Sequence, residues 1–254
     1  MANDKPKVAV FKFTGCAGCQ MELLRLEDEL LDIVEKIDVA YFMMAQSGVD
    51  MGPYDVCFIE GSVSTPRELE ELKKIRASSK ILVALGDCAV AGCIPSIRNH
   101  MSQAKAEEVV YENITPIQSF RVRGIGEYVP VEIPLPGCPP HKNLIYETIT
   151  AALQGILPDI KHYPVCVDCK LKENVCLLKS LGKACMGPVT KAGCGAICPT
   201  VGRECEGCYG PMSDANSSEF AKVLKKSGFS DDDVVRKFRK YAGITDEFKK
   251  EAQV

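Results

Sequence analysis

No apolar stretch in the 254 residues reaches the roughly 18 to 20 that a membrane-crossing helix needs. The opening, Met1-Ala2-Asn3-Asp4-Lys5-Pro6, has none of the charged start, apolar middle and small-residue cleavage site of a secretory leader, and there is no twin-arginine pair. With a net charge of only −3, nothing points to nucleic acid or to a basic membrane-facing patch. No G-x-G-x-x-G is present, and no Gly-Lys-Ser/Thr follows the first glycine-containing turn, which argues against nucleotide binding. Internal repeats are missing too. The expected location is the cytoplasm.

The abundant residue is cysteine, with 14 copies. In an exported protein an even count would suggest disulfides. In a reducing cytoplasm, metal ligation is the better default, the alternative being a disulfide-rich protein of a hyperthermophile. A chain of this length, 46% hydrophobic, can bury a core without covalent staples. Eight of the cysteines lie between Cys166 and Cys208, with Cys166-x-x-Cys169 at one end and Cys205-x-x-Cys208 at the other. Eight thiols make two sets of four, the requirement of two cubane iron–sulfur clusters. Tetrathiolate zinc in a non-redox scaffold would satisfy the same spacings.

Residues 1–160 read as alternating strands and helices. Apolar runs at 8–13, 39–43, 55–60, 81–85 and 131–135 are strand candidates, the last an edge strand because Pro134 interrupts it. Residues 21–37 show helical spacing, with Leu23, Leu26, Leu30 and Val34 on one face. Thr65-Pro66-Arg67-Glu68 has the form of a capping box, and residues 142–154 form a closing helix. Such alternation predicts an α/β fold with a mostly parallel sheet, whose ligands sit beyond the carboxyl ends of the strands. Cys16 and Cys19, Cys88, and Cys138 follow three of these strands and are placed to converge there. Residues 161–254 form a second domain, with glycine, proline and cysteine in quick succession. Its charged helical tail carries Ser230 to Asp233 as a cap for residues 234–241.

Several of these residues carry two readings. Cys16-x-x-Cys19 at a helix start suits a cluster ligand pair or a thioredoxin-like redox pair. Cys57, within an apolar run, reads as a core residue, and Cys93 as an uncommitted thiol near a cluster rather than a ligand. His141 reads as a helix cap or part of a contact surface, and His162 is redundant beside complete cysteine sets; His100 carries no specific signal. Glu22 is either a solvated helix carboxylate or a proton-transfer group.

Gly15-Cys16-Ala17-Gly18-Cys19, Gly86-Asp87-Cys88-Ala89, Pro136-Gly137-Cys138-Pro139-Pro140 and Cys205-Glu206-Gly207-Cys208 together resemble the small, electron-transferring subunit of nickel–iron hydrogenases. The likeness is to the cytoplasmic kind found in sulfhydrogenases and in methyl-viologen- or deazaflavin-reducing enzymes. It covers most of residues 8–211, and a related fold occurs in a small iron–sulfur subunit of respiratory complex I. The resemblance implies a flavodoxin-like domain followed by a loop-rich cluster domain. It implies three 4Fe-4S clusters: a proximal one on Cys16, Cys19, Cys88 and Cys138, a medial one on Cys194, Cys198, Cys205 and Cys208, and a distal one on Cys166, Cys169, Cys176 and Cys185.

Many periplasmic relatives have proline where Cys198 stands and histidine where Cys166 stands, so both departures point to the cytoplasmic class. Cys93 matches an extra cysteine of some oxygen-tolerant relatives, but the second one they need corresponds to Gly18. The implied partners are a nickel–iron large subunit and a further iron–sulfur or flavin subunit. No nickel is expected in this chain, since only Cys57 and Cys93 are spare and two thiols do not make the family's four-thiolate nickel site; no flavin or nucleotide is expected either. The rival function is an iron–sulfur subunit of a complex I-like or heterodisulfide-reductase-associated assembly.

Overall fold

A computed structural model describes residues 5–113 and 118–253. The opening residues 1–4 that were read for a leader lie outside the described residues. The chain divides into two compact units, Met1–Val90 with Gln118–Asp159, and Ala91–Ile117 with Ile160–Val254. The second unit therefore includes 91–117, a stretch inside the expected first domain.

The first unit is a five-stranded, all-parallel sheet. β1 (Lys7–Lys12) is followed by α1 (Gly18–Leu24), α2 (Asp28–Val34), β2 (Asp38–Phe42), β3 (Tyr54–Glu60), α3 (Pro66–Ser78), β4 (Ser79–Leu85), α4 (Asp87–Ala91), β5 (Ile133–Leu135) and α6 (Lys142–Leu153); α5 (Gln103–Val110) belongs to the second unit. The strand order is β2-β1-β3-β4-β5, so the chain reverses its direction of growth between β1 and β3, the flavodoxin-type switch point. β3 and β4 are buried almost along their whole length, as parallel strands covered on both faces should be. β5 is an edge strand, as Pro134 predicts, but begins at Ile133 rather than 131. At Glu132 the backbone N–H donates to Leu82 O at 3.1 Å, while the side-chain carboxylate accepts Leu82 N–H at 2.7 Å. A side chain thus takes a place in the ladder that a longer strand would give to a carbonyl.

The single helix expected over 21–37 is two helices. Glu27 has φ +54, and the turn around it sends Leu26 (1% exposed) into the core. The break shifts the phase of α2, so Ile33 and Ile37 are buried and Val34 is exposed. α3 has the expected capping box, in which Glu68 N–H donates to Thr65 Oγ1 at 3.2 Å and Thr65 N–H donates to Glu68 Oε2 at 3.0 Å. His141 caps α6 by accepting Asn143 N–H at 3.3 Å.

In the second unit, α7 (Val165–Leu171), α8 (Leu177–Leu181) and α9 (Ile197–Thr200) are short and separated by irregular chain around buried Met186. The tail is more built than a single helix: α10 (Ser217–Lys226), α11 (Asp231–Arg239) and α12 (Lys249–Ala252) enclose Phe220, Phe238 and Phe248. Ser230 and Asp233 form the capping box of α11. Among the described residues no helix is long and apolar enough to cross a membrane.

Candidate metal centres

The carboxyl ends of β1, β4 and β5 deliver Cys16 with Cys19, Cys88, and Cys138. Beyond β1 the pairing with β3 continues irregularly: Thr14 N–H donates to Ser62 O (3.1 Å) and Ser62 N–H to Thr14 O (2.8 Å). Gly61 permits this approach; its φ is +95, and a β-carbon there would come within 2.7 Å of the Phe13 backbone. Beyond β4 and β5, Gly86 N–H donates to Leu135 O (2.9 Å) and Asp87 N–H to Gly137 O (2.8 Å), which joins the Cys88 and Cys138 loops. At Gly86, φ is +83 and a β-carbon would overlap Cys19 Sγ. The thiol thus sits directly against bare backbone.

Ala17, between the first two thiols, is left-handed at φ +71 and Gly18 N–H donates to Cys16 Sγ at 3.3 Å. A non-glycine residue held in that region costs about 1 kcal/mol, the kind of strain that collects at functional turns. Burial pushes the Cys19 thiol far up, and Glu60, Cys88, Cys138 and Cys16 each push it further. Three thiols close enough to disfavour the ionisation of Cys19 complete a four-thiol donor set that calls for positive charge, and soft thiolates suit iron–sulfur chemistry.

The second unit repeats this arrangement. Cys166 is pushed up to about 11 by burial, with Cys185, Cys169 and Cys176 adding to it and Lys170 opposing. Cys194 is raised by burial and by Cys198, although the N–H groups of Ala196 and Ile197 donate to its sulfur. Cys205 is raised by burial, with Cys185 and Cys208 adding to it and the Gly207 N–H opposing. Cys205 N–H donates to Cys185 Sγ at 3.3 Å, so the two expected sets touch. A β-carbon at Gly187 would lie 3.2 Å from Cys166 Sγ and 3.6 Å from Cys185 Sγ. Here too glycine backbone lines the thiols, and a left-handed alanine, Ala196 at φ +53, follows one of them. Among the described residues, no three His, Cys, Asp or Glu side chains are drawn together tightly enough to grip a single metal ion. None of the fourteen cysteines is in a disulfide.

Residues 16–152 match the family model described as NADH ubiquinone oxidoreductase, 20 Kd subunit. The chain belongs to this family. Proteins similar to it include the sulfhydrogenase 2 subunit delta of Pyrococcus furiosus, 39% identical over 93% of this chain and 99% of that one. A subunit of the vhu F420-non-reducing hydrogenase of Methanococcus voltae is 32% identical over 89% of this chain and 90% of its own length. A chain of the NAD+-reducing NiFe-hydrogenase crystal structure in the H2-reduced state superposes with a TM-score of 0.58 at 28% identity, covering 62% of this chain and 96% of that one. The span matched by the 20 Kd subunit family holds Cys16, Cys19, Cys88 and Cys138.

It also holds a residue to which no motif in the sequence points. β3 ends in Glu60, 1% exposed, whose carboxylate accepts Cys19 N–H at 3.1 Å and Gln20 Nε2–H at 2.8 Å. Its signal was a charged residue closing an apolar run at the one central strand without a following cysteine. Other residues singled out in the sequence fall elsewhere. Glu22 is paired with Arg25 at 2.8 Å, its side chain only 18% exposed, and is less solvated than expected. Cys57 is fully buried in the sheet core, and burial pushes its thiol up to about 12. Cys93, also fully buried, has φ +41. His100 and His162 are on the surface.

Proposed function

We propose that this chain is the electron-transfer small subunit of a cytoplasmic NiFe hydrogenase. The observation that carries this reading is the gathering of Cys16, Cys19, Cys88 and Cys138 at the carboxyl edge of the sheet, against the bare backbone of Gly86. Those four hold a proximal 4Fe-4S cluster that faces the nickel–iron centre of a partner large subunit. Cys194, Cys198, Cys205 and Cys208 hold a medial cluster, and Cys166, Cys169, Cys176 and Cys185 a distal one. Bound clusters supply one-electron transfer, and the protein sets their potentials through charge, burial and hydrogen bonds. The chain's own part is to present thiolates, to donate Gly18, Ala196 and Cys205 N–H groups to sulfur, and to keep Cys19 and Cys205 from water. The relatives named as sulfhydrogenase and F420-non-reducing hydrogenase subunits support the hydrogen chemistry of the assembly.

Purification of the native complex through this chain tests the proposal. A nickel-bearing partner should accompany it, and the separated chain should be brown, with about twelve irons and no nickel. A colourless zinc protein, or stoichiometric nickel in the separated chain, overturns the reading. The family match favours one second reading, a complex I-like module; a complex with the same iron and no nickel in any subunit supports it instead.

A further inference from the structure

The charged tail has a specific target. α10, α11 and α12 are locked by an aromatic core: Phe238 meets Phe220 and Phe248 edge-to-face, at centroid distances of 6.4 and 5.0 Å. From this frame Lys237 Nζ reaches Glu206 Oε1 at 3.0 Å and Glu204 Oε1 at 3.7 Å, and Lys240 Nζ reaches Glu206 Oε2 at 3.1 Å. Glu204 and Glu206 flank Cys205, and Glu206 lies within the Cys205-x-x-Cys208 turn. Lys237 and Glu206 are partly withdrawn from solvent, at 18% and 27% side-chain exposure, and Lys240 closes the contact from the more open side at 45%. Of the cations around this turn, Arg236 pairs with Asp233 at 2.7 Å and Lys183 donates to Gly202 O at 2.7 Å, while Arg203, next to Glu204 in the chain, is exposed.

Ordinary surface ion pairs add little stability, and ordering two lysines on one carboxylate carries an entropic cost. Charge balance gives the arrangement a purpose. Two carboxylates on either side of a 6%-exposed cysteine would oppose the arrival of an electron at a thiolate-ligated cluster, and screening is weak where water is excluded. We propose that α11 is the counter-charge of this ligand turn: Lys237 and Lys240 neutralise Glu204 and Glu206 and so raise the reduction potential of the cluster held by Cys205 and Cys208. The inference rests on the cluster assignment proposed above. It makes Lys237 and Lys240 positioning residues.

The test is a redox titration of the intact complex followed by electron paramagnetic resonance, with iron counted per chain. In Lys237→Gln/Lys240→Gln one cluster's midpoint should move to lower potential while the other two stay, and Lys237→Arg/Lys240→Arg should restore it. Unchanged midpoints with full iron overturn the proposal. If the glutamine pair sheds iron, Glu204→Gln and Glu206→Gln are added to it, leaving the turn uncharged. Recovery of iron with a midpoint near wild type supports charge compensation; continued loss means the pairs are only a mechanical tie and overturns it. A wild-type complex without iron–sulfur signals sinks the cluster reading itself, a result distinct from either.

Discussion

Glu60 accepts the backbone N–H of Cys19 at 3.1 Å from a position with 1% of its surface exposed. Its second oxygen accepts Gln20 Nε2–H at 2.8 Å, so one buried carboxylate orders both the thiol-bearing turn and the start of α1. The last residue of β3 thereby fixes the loop that follows β1, across the switch point of the sheet.

Replacing Glu60 by leucine strands two buried donors, each worth roughly 1–3 kcal/mol when left without a partner. Glu60→Leu should therefore lose about 2–4 kcal/mol of stability by denaturant titration. Glu60→Gln should lose far less, because its amide oxygen can take Cys19 N–H while Gln20 turns its own oxygen towards the new N–H. Equal losses in the two variants would mean that packing, not hydrogen bonding, is what Glu60 supplies.

Gly86→Ala tests the first thiol set separately. Its β-carbon would overlap Cys19 Sγ, and φ +83 is unfavourable for alanine. Iron should fall by about one third if three four-iron clusters are present, with the thiols of the second unit still loaded. Gly126→Ala is the matched control, since nothing lies within 4 Å of its added carbon. The check is iron per chain by emission spectrometry; full occupancy in Gly86→Ala removes Cys19 from the ligand set.

How much of this was legible in the sequence depended on whether the signal was local. The apolar runs of β1, β3 and β4 and the Thr65 and Ser230 capping boxes are local, and the structure has each of them. The break between α1 and α2 carries no glycine or proline; it goes with the burial of Leu26, a tertiary effect that local periodicity does not record. Thiol placement followed from strand ends, a rule of parallel sheets. Glu60 and the Lys237–Glu206 contact were not legible because their partners are 41 and 31 residues away in sequence. Hydrogen bonds of that range leave no periodicity.

Acid should loosen the β4–β5 edge through Glu132. Burial pushes this carboxyl up, but Leu82 N–H and the Arg76 guanidinium at 2.7 Å outweigh it and hold its pKa below the ordinary value. A carboxyl depressed in the folded state stabilises above its unfolded pKa, about 4.3, and the contribution disappears as pH falls through the folded value. The pair is partly exposed, so the effect is below about 1 kcal/mol. Urea unfolding should show Glu132→Gln less stable than wild type at pH 7, with the gap closing as the carboxyl is protonated below pH of about 4. A gap that stays constant down to acid would assign the loss to packing.

Cys57 lies on β3 between Ala9 of β1 and Leu82 of β4, and none of its surface is exposed. Its thiol, pushed up to about 12 by burial, stays protonated at neutral pH and is a poor nucleophile. Cys57→Ala should therefore leave iron unchanged and cost only about 1 kcal/mol for the small cavity. Cys57→Ser should cost more, about 1–3 kcal/mol, because a hydroxyl is costlier to bury than a thiol and the side chain of Ser79 is the hydrogen-bond partner that this position offers. In the native chain, iodoacetamide should leave Cys57 unmodified until urea opens the sheet, as peptide mass mapping would report. Prompt alkylation at neutral pH, or iron lost from the alanine variant, would move this cysteine out of the core and into the chemistry.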